Sequence, residues 1–482
     1  MAGTISSAGI GSGLEVSNII SSLMSVEKRP LTKLQSVATT MQTKLSAFGQ
    51  MQSLAASFRD AATNLKSAEA YKVTTAISSD TSVSVNSTTK AVTGSYAVAV
   101  NSLSSTQSTV GASGQFASSA DVVGTGTITI SLGTWSTGQT AFTAQPGVNA
   151  VVIPIDASNS TLTAIRDKIN AANAGVSATI VTDASGSRLA FQSSVTGASN
   201  GFKVSVVDDD LANTDAAGLS RLAFDPPSST NGMTLTQAAA NTKATINGIA
   251  VETAGNTLTD VVDGMTFNLS KVTTSPVTVS VTRNTDSVKS LITGFVASYN
   301  ALSSFLSSAT QYDASTKTAA LLQGDATTTS LQNQLRSTVS QAGSRSPSFS
   351  TLSSLGIEFQ KDGRLSINDT KLTAALAKLP ELATAMSNVD LATPGNDGFA
   401  RKIAAWADSL LSTSGTLSGK TKSIQSQISA NSKDQEKMSD RIAAIEKRIT
   451  AQYTALDATM SKAKALSNYV TQQITTWNKS TA

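Results

Sequence analysis

Two long segments with a coiled-coil-like spacing of apolar residues, one near each end, most constrain how this chain folds. In the N-terminal segment, apolar side chains recur mostly at alternating steps of three and four residues from Leu31 to Leu65. In the C-terminal segment, the same spacing runs from Ile424 to Trp477, and neither glycine nor proline follows Gly419. This spacing places the apolar residues on one narrow face of each helix, which favours helix–helix association.

The two apolar faces predict a helical stem built from both ends of the chain. We predict that stem and oligomer contacts are made by the seam residues Leu31, Leu34, Met41, Leu45, Phe48, Phe58, Met438, Ile442, Ile445, Ile449, Leu456, Met460 and Ile474. Asn431, Gln435 and Gln452 fall on the same C-terminal face, where polar residues weaken a coiled coil but fix its register. The alternative is two ordinary amphipathic helices on a globular core, which accounts less well for seams this long and narrow.

The middle of the chain, from about residue 72 to residue 285, has the pattern of strands and turns. Short β-branched runs such as residues 96–100 (YAVAV) and 151–155 (VVIPI) are bounded by glycine, asparagine, aspartate or proline. An Ile-Asn step occurs in residues 162–170 (LTAIRDKIN) and again in residues 244–251 (ATINGIAV). This repetition hints at two related β modules.

Helical spacing returns at about residue 286, continues in residues 331–339, and is followed by a predicted hairpin at residues 356–367 around Asp362-Gly363. We therefore predict an α+β multidomain fold, with a discontinuous helical coiled-coil stem from both termini and inserted β-rich domains. The predicted divisions are a leg helix at 1–40 pairing with 420–482, a helical bundle with a small hairpin at 41–75 plus 286–419, a β-rich domain at 76–110 plus 236–285, and a second inserted β-rich domain at 111–235.

The composition removes most catalytic chemistry. The 482 residues include no cysteine and no histidine, which excludes disulfides, thiolate nucleophiles, Ser-His-Asp triads and nearly all zinc sites. We expect no enzymatic activity, no cofactor and no metal. Carboxylate-only chemistry, as in glycosidases, stays open as an alternative because it needs neither missing residue type.

Charge and hydropathy point to neither nucleic acid nor membrane. The formal net charge is only +4, without the dense basic stripe and interleaved aromatics of nucleic-acid binding. No segment approaches the run of about 20 apolar residues that spans a bilayer. The first basic residue is Lys28 and no apolar segment precedes it, so no cleaved secretory signal is predicted.

Three short motifs resemble ligand sites and are interpreted as structural. Residues 415–421 (GTLSGKT) have one residue too few between the glycines for a phosphate loop and follow a helical pattern. Residues 9–13 (GIGSG) follow no strand, as a dinucleotide site would require. Residues 208–210 (DDD) lack the glycine and the glutamate of an EF-hand and predict an acidic surface turn.

Four stretches together carry a resemblance to one family. They are residues 9–35 (GIGSGLEVSNIISSLMSVEKRPLTKLQ), 244–269 with Asn-Gly and Asp-Gly-Met, 321–336 (LLQGDATTTSLQNQLR) and 355–372 (LGIEFQKDGRLSINDTKL). In this order and spacing they resemble the bacterial flagellar filament cap, or hook-associated protein 2, family. Residues 162–181 are similar, more loosely, to an Ile-Asn motif shared with flagellins, and residues 111–235 match least.

The resemblance implies a protein that is exported by the flagellar type III route and located at the tip of the flagellum. It implies a homo-oligomeric ring of about four to six copies, whose terminal legs dock on flagellin and whose β-rich domains form a plate. Such a cap retains exported flagellin and promotes its folding and polymerisation. The implied partners are flagellin, the hook–filament junction protein and an export chaperone that binds the last helix at Ile442, Ile445 and Ile449.

Two other functions remain as alternatives. A hook–filament junction protein or a flagellin also has paired terminal helices, but it should lack the motifs at residues 9–34 and 355–372. An adhesin would use the β-rich domains to bind mucin or another glycan, and a glycan array would distinguish it.

Overall fold

In sequence order, the first segment of a helical unit is followed by a β-rich unit and then by the second segment of the helical unit. In this computed structural model, which describes residues 15–227, 232–340 and 346–480, the helical unit comprises Met1–Ala70 and Thr285–Ala482, and the β-rich unit comprises Tyr71–Asn284. The β-rich unit is thus inserted, in sequence, between two halves of the helical unit. The predicted fold class, a discontinuous helical stem with inserted β-rich domains, is confirmed.

The helices at both ends follow the predicted spacing. In chain order the helices are α1 (Val16–Glu27), α2 (Arg29–Leu65), α3 (Leu162–Ala171), α4 (Thr285–Thr310), α5 (Ala326–Ser340), α6 (Asp369–Leu376), α7 (Leu379–Ser387), α8 (Phe399–Leu411) and α9 (Thr416–Ser480). Pro30 lies in the first turn of α2, where its missing N–H has no intrahelical acceptor in any case. Because no glycine or proline follows Gly419, α9 continues without a break for 65 residues.

Among the described residues, the strands of the β-rich unit form four sheets, and two short hairpins belong to the helical unit. The strands are β1 (Thr74–Ser78), β2 (Val83–Ser87), β3 (Gly94–Ser102), β4 (Ser108–Val110), β5 (Gly126–Trp135), β6 (Phe142–Ala144), β7 (Val151–Ile155), β8 (Val176–Asp183), β9 (Gly186–Ser193), β10 (Gly201–Asp208), β11 (Thr234–Gln237), β12 (Thr242–Ile246), β13 (Ile249–Thr253), β14 (Thr257–Val262), β15 (Met265–Leu269), β16 (Val277–Arg283), β17 (Tyr312–Asp313), β18 (Thr318–Ala319), β19 (Ile357–Phe359) and β20 (Leu365–Ile367). The β19–β20 hairpin is the one predicted around Asp362-Gly363.

Two separate hydrophobic cores lie within the β-rich unit. The first is formed by the sheets β1-β16-β3-β12-β13 and β14-β15-β2, with Val98, Phe267 and Val279 fully buried. The second is formed by β10-β5 with β6 and β7, by β11-β4-β9-β8 and by α3, around Phe191 and Phe202. Strands whose side chains alternate between core and solvent account for both cores, because successive residues point to opposite faces.

The chain crosses between these two cores near Ser105 and again near Ala240, and these two residues are paired through their backbones. Ser105 N–H donates to Ala240 O at 3.0 Å, and Ala240 N–H donates to Ser105 O at 3.2 Å. Strand β4 and the end of β11 therefore belong to the second core, although residues 108–110 and 236–237 fell within the range predicted for the first domain. The predicted boundaries between the two β-rich domains, at residues 111 and 235, stay a prediction.

The two Ile-Asn steps do not share a local structure. Asn170 lies near the end of α3, which Thr161 caps, whereas Asn247 lies in the turn between β12 and β13 at φ 51°. Both asparagines nevertheless pair with a strand residue through two hydrogen bonds. The Asn170 amide bonds both backbone groups of Ala178, and Asn247 bonds Ala97 through its side-chain oxygen and its own N–H. The two steps therefore differ in local structure but share a way of pairing a strand residue, and the relation between two β modules stays a prediction.

Gln107 repeats this bidentate pairing inside the second core. Its side chain accepts from Phe202 N–H at 2.9 Å and donates to Phe202 O at 2.8 Å, and it is 1% exposed. Trp135 Nε1 donates to the same carbonyl oxygen at 2.9 Å. If the Gln107 amide is lost, the Phe202 N–H is therefore the group that loses its partner.

We predict that Gln107→Leu destabilises the β-rich unit by about 1–3 kcal/mol, because it leaves the buried N–H of Phe202 without an acceptor. Unfolding in denaturant should be followed by the fluorescence of Trp135, in a background in which Trp406 and Trp477 are replaced by phenylalanine.

The matched control is Asn170→Ala. It removes a bidentate amide from an exposed residue, whose two hydrogen bonds are only part-buried, so water replaces them more readily than at Gln107. Its cost should be smaller, about 1 kcal/mol or less. Equal losses of unfolding free energy in the two variants would show that burial of the Gln107–Phe202 pair contributes nothing to stability.

Candidate functional site: the helical stem

Helices α2 and α9 pair to form the stem. Gln52 Nε2 donates to Thr421 Oγ1 at 3.4 Å, and Lys420 Nζ lies 5.6 Å from the centroid of the Phe48 ring. Helix α9 also packs against α1, which precedes α2 in the chain. Since the start of α9 lies against the middle of α2, and α9 goes on to contact α1, the two long helices run antiparallel.

An aromatic cluster holds the C-terminal half of α2 against α4 and α8. The Phe58 ring lies 5.2 Å from Phe295, 5.8 Å from Tyr299 and 6.4 Å from Trp406, measured between ring centroids. The contacts with Tyr299 and Trp406 are edge-to-face, the arrangement that the ring quadrupoles favour. These four aromatic side chains therefore pack against one another, and Phe58 is fully buried among them.

The β19–β20 hairpin is fixed to α4 by two polar side chains. The Tyr299 hydroxyl donates to Gly363 O at 3.1 Å, and burial raises the pKa of Tyr299, so the hydroxyl keeps its proton. Asn300 Nδ2 donates to Leu365 O at 2.8 Å, and Leu365 N–H donates to Asn300 Oδ1 at 2.7 Å. Asn300 thus pairs with both backbone groups of Leu365, and this pairing fixes the hairpin to the surface of α4.

A polar clamp, formed by Asp325, Thr328 and Lys420, joins the start of α5 to the start of α9. Lys420 Nζ lies 2.7 Å from Asp325 Oδ2, and Thr328 N–H donates to Asp325 Oδ1 at 3.0 Å. Burial raises the pKa of the Asp325 carboxyl, but the hydrogen bonds from Lys420 and Thr328 outweigh it and hold the pKa below its ordinary value. Asp325 therefore caps α5 as an anion while it holds α9 in place.

Sequence reasoning missed this clamp, although both halves lay in motifs that it singled out. Asp325 belongs to the LLQGD motif, and Lys420 belongs to residues 415–421, which resemble a phosphate loop. The sequence signal for the first half was an aspartate directly before a helical pattern, which is a capping position. The lysine gave no separate signal, because its partner is remote in sequence.

The structure places the predicted seam residues in three groups. Phe48, Phe58 and Ile442 are buried. The half-buried group consists of Leu31, Leu34, Met41, Leu45, Met438, Ile445 and Ile449. Leu456, Met460 and Ile474 are exposed. The stem of a single chain thus covers the seam as far as Ile449, and the role of the more distal residues stays a prediction.

The exposed apolar residues at the end of α9 form what we call the C-terminal stripe. Its members are Leu456, Met460, Leu466, Tyr469, Val470, Ile474 and Trp477, all between 44% and 73% exposed. These side chains are exposed to solvent within the described part of the chain.

The motifs that resemble ligand sites are structural where the chain is described. Asp208 accepts from Ser220 N–H at 3.1 Å and is buried, and Thr416, within the glycine-lysine motif, begins α9. Residues 9–13 lie outside the described residues. Among the described residues, no cluster of three or more acidic, cysteine or histidine side chains is arranged to hold a metal ion. Nor does any helix in the described ranges have the length and hydropathy to span a membrane.

We predict that Asp325→Asn lowers the stability of the helical unit by about 1–2 kcal/mol, because a charge-assisted hydrogen bond is lost while the helix cap is kept. Because its pKa is lowered in the folded chain, Asp325 stabilises the fold above the ordinary value of 3.8 and ceases to do so as the pH falls through the lowered value. The difference between wild type and variant in thermal unfolding, followed by helical circular dichroism, should therefore shrink in acid.

Asp434→Asn is the matched control. Asp434 pairs with Lys437 at 3.9 Å on an exposed surface, where an ion pair contributes about 0–1 kcal/mol. If Asp325→Asn were no more costly than this control at neutral pH, the clamp would not be an energetic link between α5 and α9.

Comparison with known families covers most of the chain. Residues 12–107 match the Flagellar hook-associated protein 2 N-terminus, residues 239–465 match the Flagellar hook-associated protein 2 C-terminus, and residues 124–195 match the Flagellin hook IN motif. The last match includes α3 and the Ile-Asn step at Asn170.

Individual relatives align from end to end. The flagellar hook-associated protein 2 of Escherichia coli (strain K12) is 33% identical over 481 residues, which covers 98% of each chain. The B-type flagellar hook-associated protein 2 of Pseudomonas aeruginosa is 32% identical and covers 94% of each chain. The crystal structure of the D1-D2-D3 domains of the Escherichia coli flagellar cap protein FliD is similar, with a TM-score of 0.59 and 32% identity, over 79% of this chain and 99% of that one. The predicted resemblance is confirmed, and the chain belongs to the flagellar hook-associated protein 2 family.

Proposed function

We propose that the protein caps the distal end of a bacterial flagellar filament, where it retains exported flagellin and promotes its folding and polymerisation. The observation that carries this proposal is the match, over 79% of this chain, to a solved Escherichia coli protein described as a flagellar cap. The helical unit built from both chain ends, with a β-rich unit inserted in sequence, supports the same conclusion.

The stem is the proposed docking element. We propose that the half-buried seam residues and the C-terminal stripe contact flagellin or the hook–filament junction protein. An elongated helical surface with exposed large apolar residues suits a partner helix, because side chains spaced at three and four residues fit the grooves of a second helix.

The proposed chaperone site has a physical consequence. Ile442 is 5% exposed within the stem, and Ile445 and Ile449 are half-buried there. An export chaperone that binds these three residues must therefore hold α9 before it packs with α1 and α2. Chaperone binding and stem formation are thus alternatives for the same face of α9.

The remaining parts of the proposal are supported by membership of the family. We propose a homo-oligomeric ring of about four to six copies, secretion by the flagellar type III route, and a location at the flagellar tip. We propose a structural role without catalysis, as the cap description of the solved relative supports. The division of the β-rich unit into two domains, joined near Ser105 and Ala240, is also part of the proposal.

Deletion of the gene should leave hooks intact, shorten or abolish filaments, and release unpolymerised flagellin into the medium. Wild-type protein supplied in trans should restore filaments, whereas Ile445→Asp should not, because a charge on the half-buried seam must either disrupt the packing of α9 or lose its hydration. The measurements are electron microscopy of the cells, motility, and flagellin in the medium.

Ala443→Asp is the matched control, since Ala443 is exposed on the same turn of α9 and should restore filaments. Normal filaments in the clean deletion would overturn the cap proposal. Normal rescue by Ile445→Asp, with secretion and level confirmed, would show instead that this seam is not the working surface.

A further inference from the structure

Two amide side chains interrupt the apolar seam of α9. Asn431 and Gln435 occupy consecutive positions in the spacing of three and four residues, between Ile428 on one side and Met438 on the other. Asn431 is only 7% exposed and Gln435 is half-buried, so both positions belong to the covered face of the helix. We call these two residues the amide pair. An apolar side chain at either position would bury more apolar area in the seam.

The amide pair makes its hydrogen bond within α9 itself. Gln435 Nε2 donates to Asn431 Oδ1 at 2.6 Å. Within the described part of the chain, neither side chain is hydrogen-bonded to another element. The pair therefore keeps this bond when α9 separates from its neighbours, and separation returns the other polar groups of the two amides to water. Compared with two apolar residues, the pair stabilises the separated helix relative to the packed one.

The surface of α2 that lies opposite the amide pair is apolar. Because the two helices run antiparallel and each rises about 1.5 Å per residue, the part of α9 about ten residues after Thr421 lies opposite the part of α2 about ten residues before Gln52. That part of α2 contributes Ala38 and Met41 to the seam, and both are half-buried. Amides gain no partner from such side chains, so this layer contributes less to the pairing than the apolar layers on either side.

The amide pair also separates two segments of the seam that are held differently. In the proximal segment, residues 417–428, Leu417 and Ile424 are buried, and the polar clamp holds the same end of α9. In the distal segment, residues 438–449, Ile442 is buried and the other seam residues are half-buried. The proximal segment is therefore fixed by several interactions, whereas the distal segment depends on a seam that is less fully covered.

We propose that the amide pair is the boundary at which the distal segment separates from the stem while the proximal segment stays packed. This separation presents Ile442, Ile445 and Ile449 to the export chaperone. Part of a structure opens at a lower free energy than the whole where its buried apolar contacts are few. A chaperone that binds only the separated segment has an apparent affinity proportional to the open fraction. This inference rests on the proposed chaperone site and specifies how the stem releases it.

Hydrogen exchange of backbone amides, followed by mass spectrometry on the purified full-length chain, measures the two segments separately. In the wild type, the distal segment should open on the order of tenfold or more often than the proximal segment. The double variant Asn431→Leu with Gln435→Leu should slow exchange in the distal segment by about tenfold or more, because two apolar layers replace the amides. Exchange in the proximal segment should stay close to that of the wild type.

The matched control is the double variant Ser423→Leu with Gln427→Leu. Gln427 Nε2 donates to Ser423 Oγ at 3.4 Å with the same spacing of four residues, but both residues lie on the exposed face of α9. Two leucines at these positions add no buried area to the seam, so exchange in both segments should match the wild type.

A second variant keeps the test sharp if the two leucines at the seam alter the packing of the stem. Its four changes are Asn431→Met, Gln435→Ile, Met438→Asn and Ile442→Gln, which exchange two layers and keep the composition of the seam. The amide pair then lies about one heptad further along α9. The residue at which fast exchange begins should move toward the C-terminus by the same distance.

Two results would overturn the boundary. One is equal protection of the two segments in the wild type, and the other is fast exchange that begins at the same residue after the two layers are exchanged. Export tests the link to the chaperone. At equal cellular level, the variant Asn431→Leu with Gln435→Leu should reach the medium severalfold less than the wild type. Unchanged export despite slower exchange would overturn that link, whereas a wild-type chain that is not exported at all would contradict the proposed function.

Discussion

The packing of α2 against α9 is the interaction on which the rest of the structure depends. At the Gln52–Thr421 hydrogen bond it joins positions that are 369 residues apart, and the entropy lost in closing so long a loop grows only slowly with its length. The intervening chain adds to the stability of the fold, because it forms two β-sheet cores of its own. It also brings α4 and α8 into contact with α2. The clamp of Asp325 and Lys420 and the aromatic cluster of Phe58 then fix the position at which the two long helices meet.

Short-range sequence patterns correctly predicted the helices and the hairpin whose formation depends mainly on neighbouring residues. The spacing of three and four residues predicted α2 and α9, and Asp362-Gly363 predicted the β19–β20 hairpin. Helix α3 was missed because its ten residues lie among strand-like runs, although Thr161 was present as its cap. The Asp325–Lys420 pair and the Gln107–Phe202 pair were not predictable, because periodicity does not report which remote residue will face a polar side chain.

Periodicity also reports which face of a helix is apolar without reporting what covers it. The same seam of α9 includes Ile442, which its own chain buries, and Leu456, Met460 and Ile474, which its own chain leaves exposed. The exposed part of the seam could therefore be identified only after the fold was known.

The most direct test of the account is electron cryo-microscopy of the distal ends of filaments from cells that produce the protein. The account predicts density for a closed ring of this chain at that end, with α2 and α9 paired in every copy and their seam or stripe residues in contact with the last flagellin subunits. A flagellin lattice that continues to an uncapped distal end, or this protein found only at the hook, would contradict it.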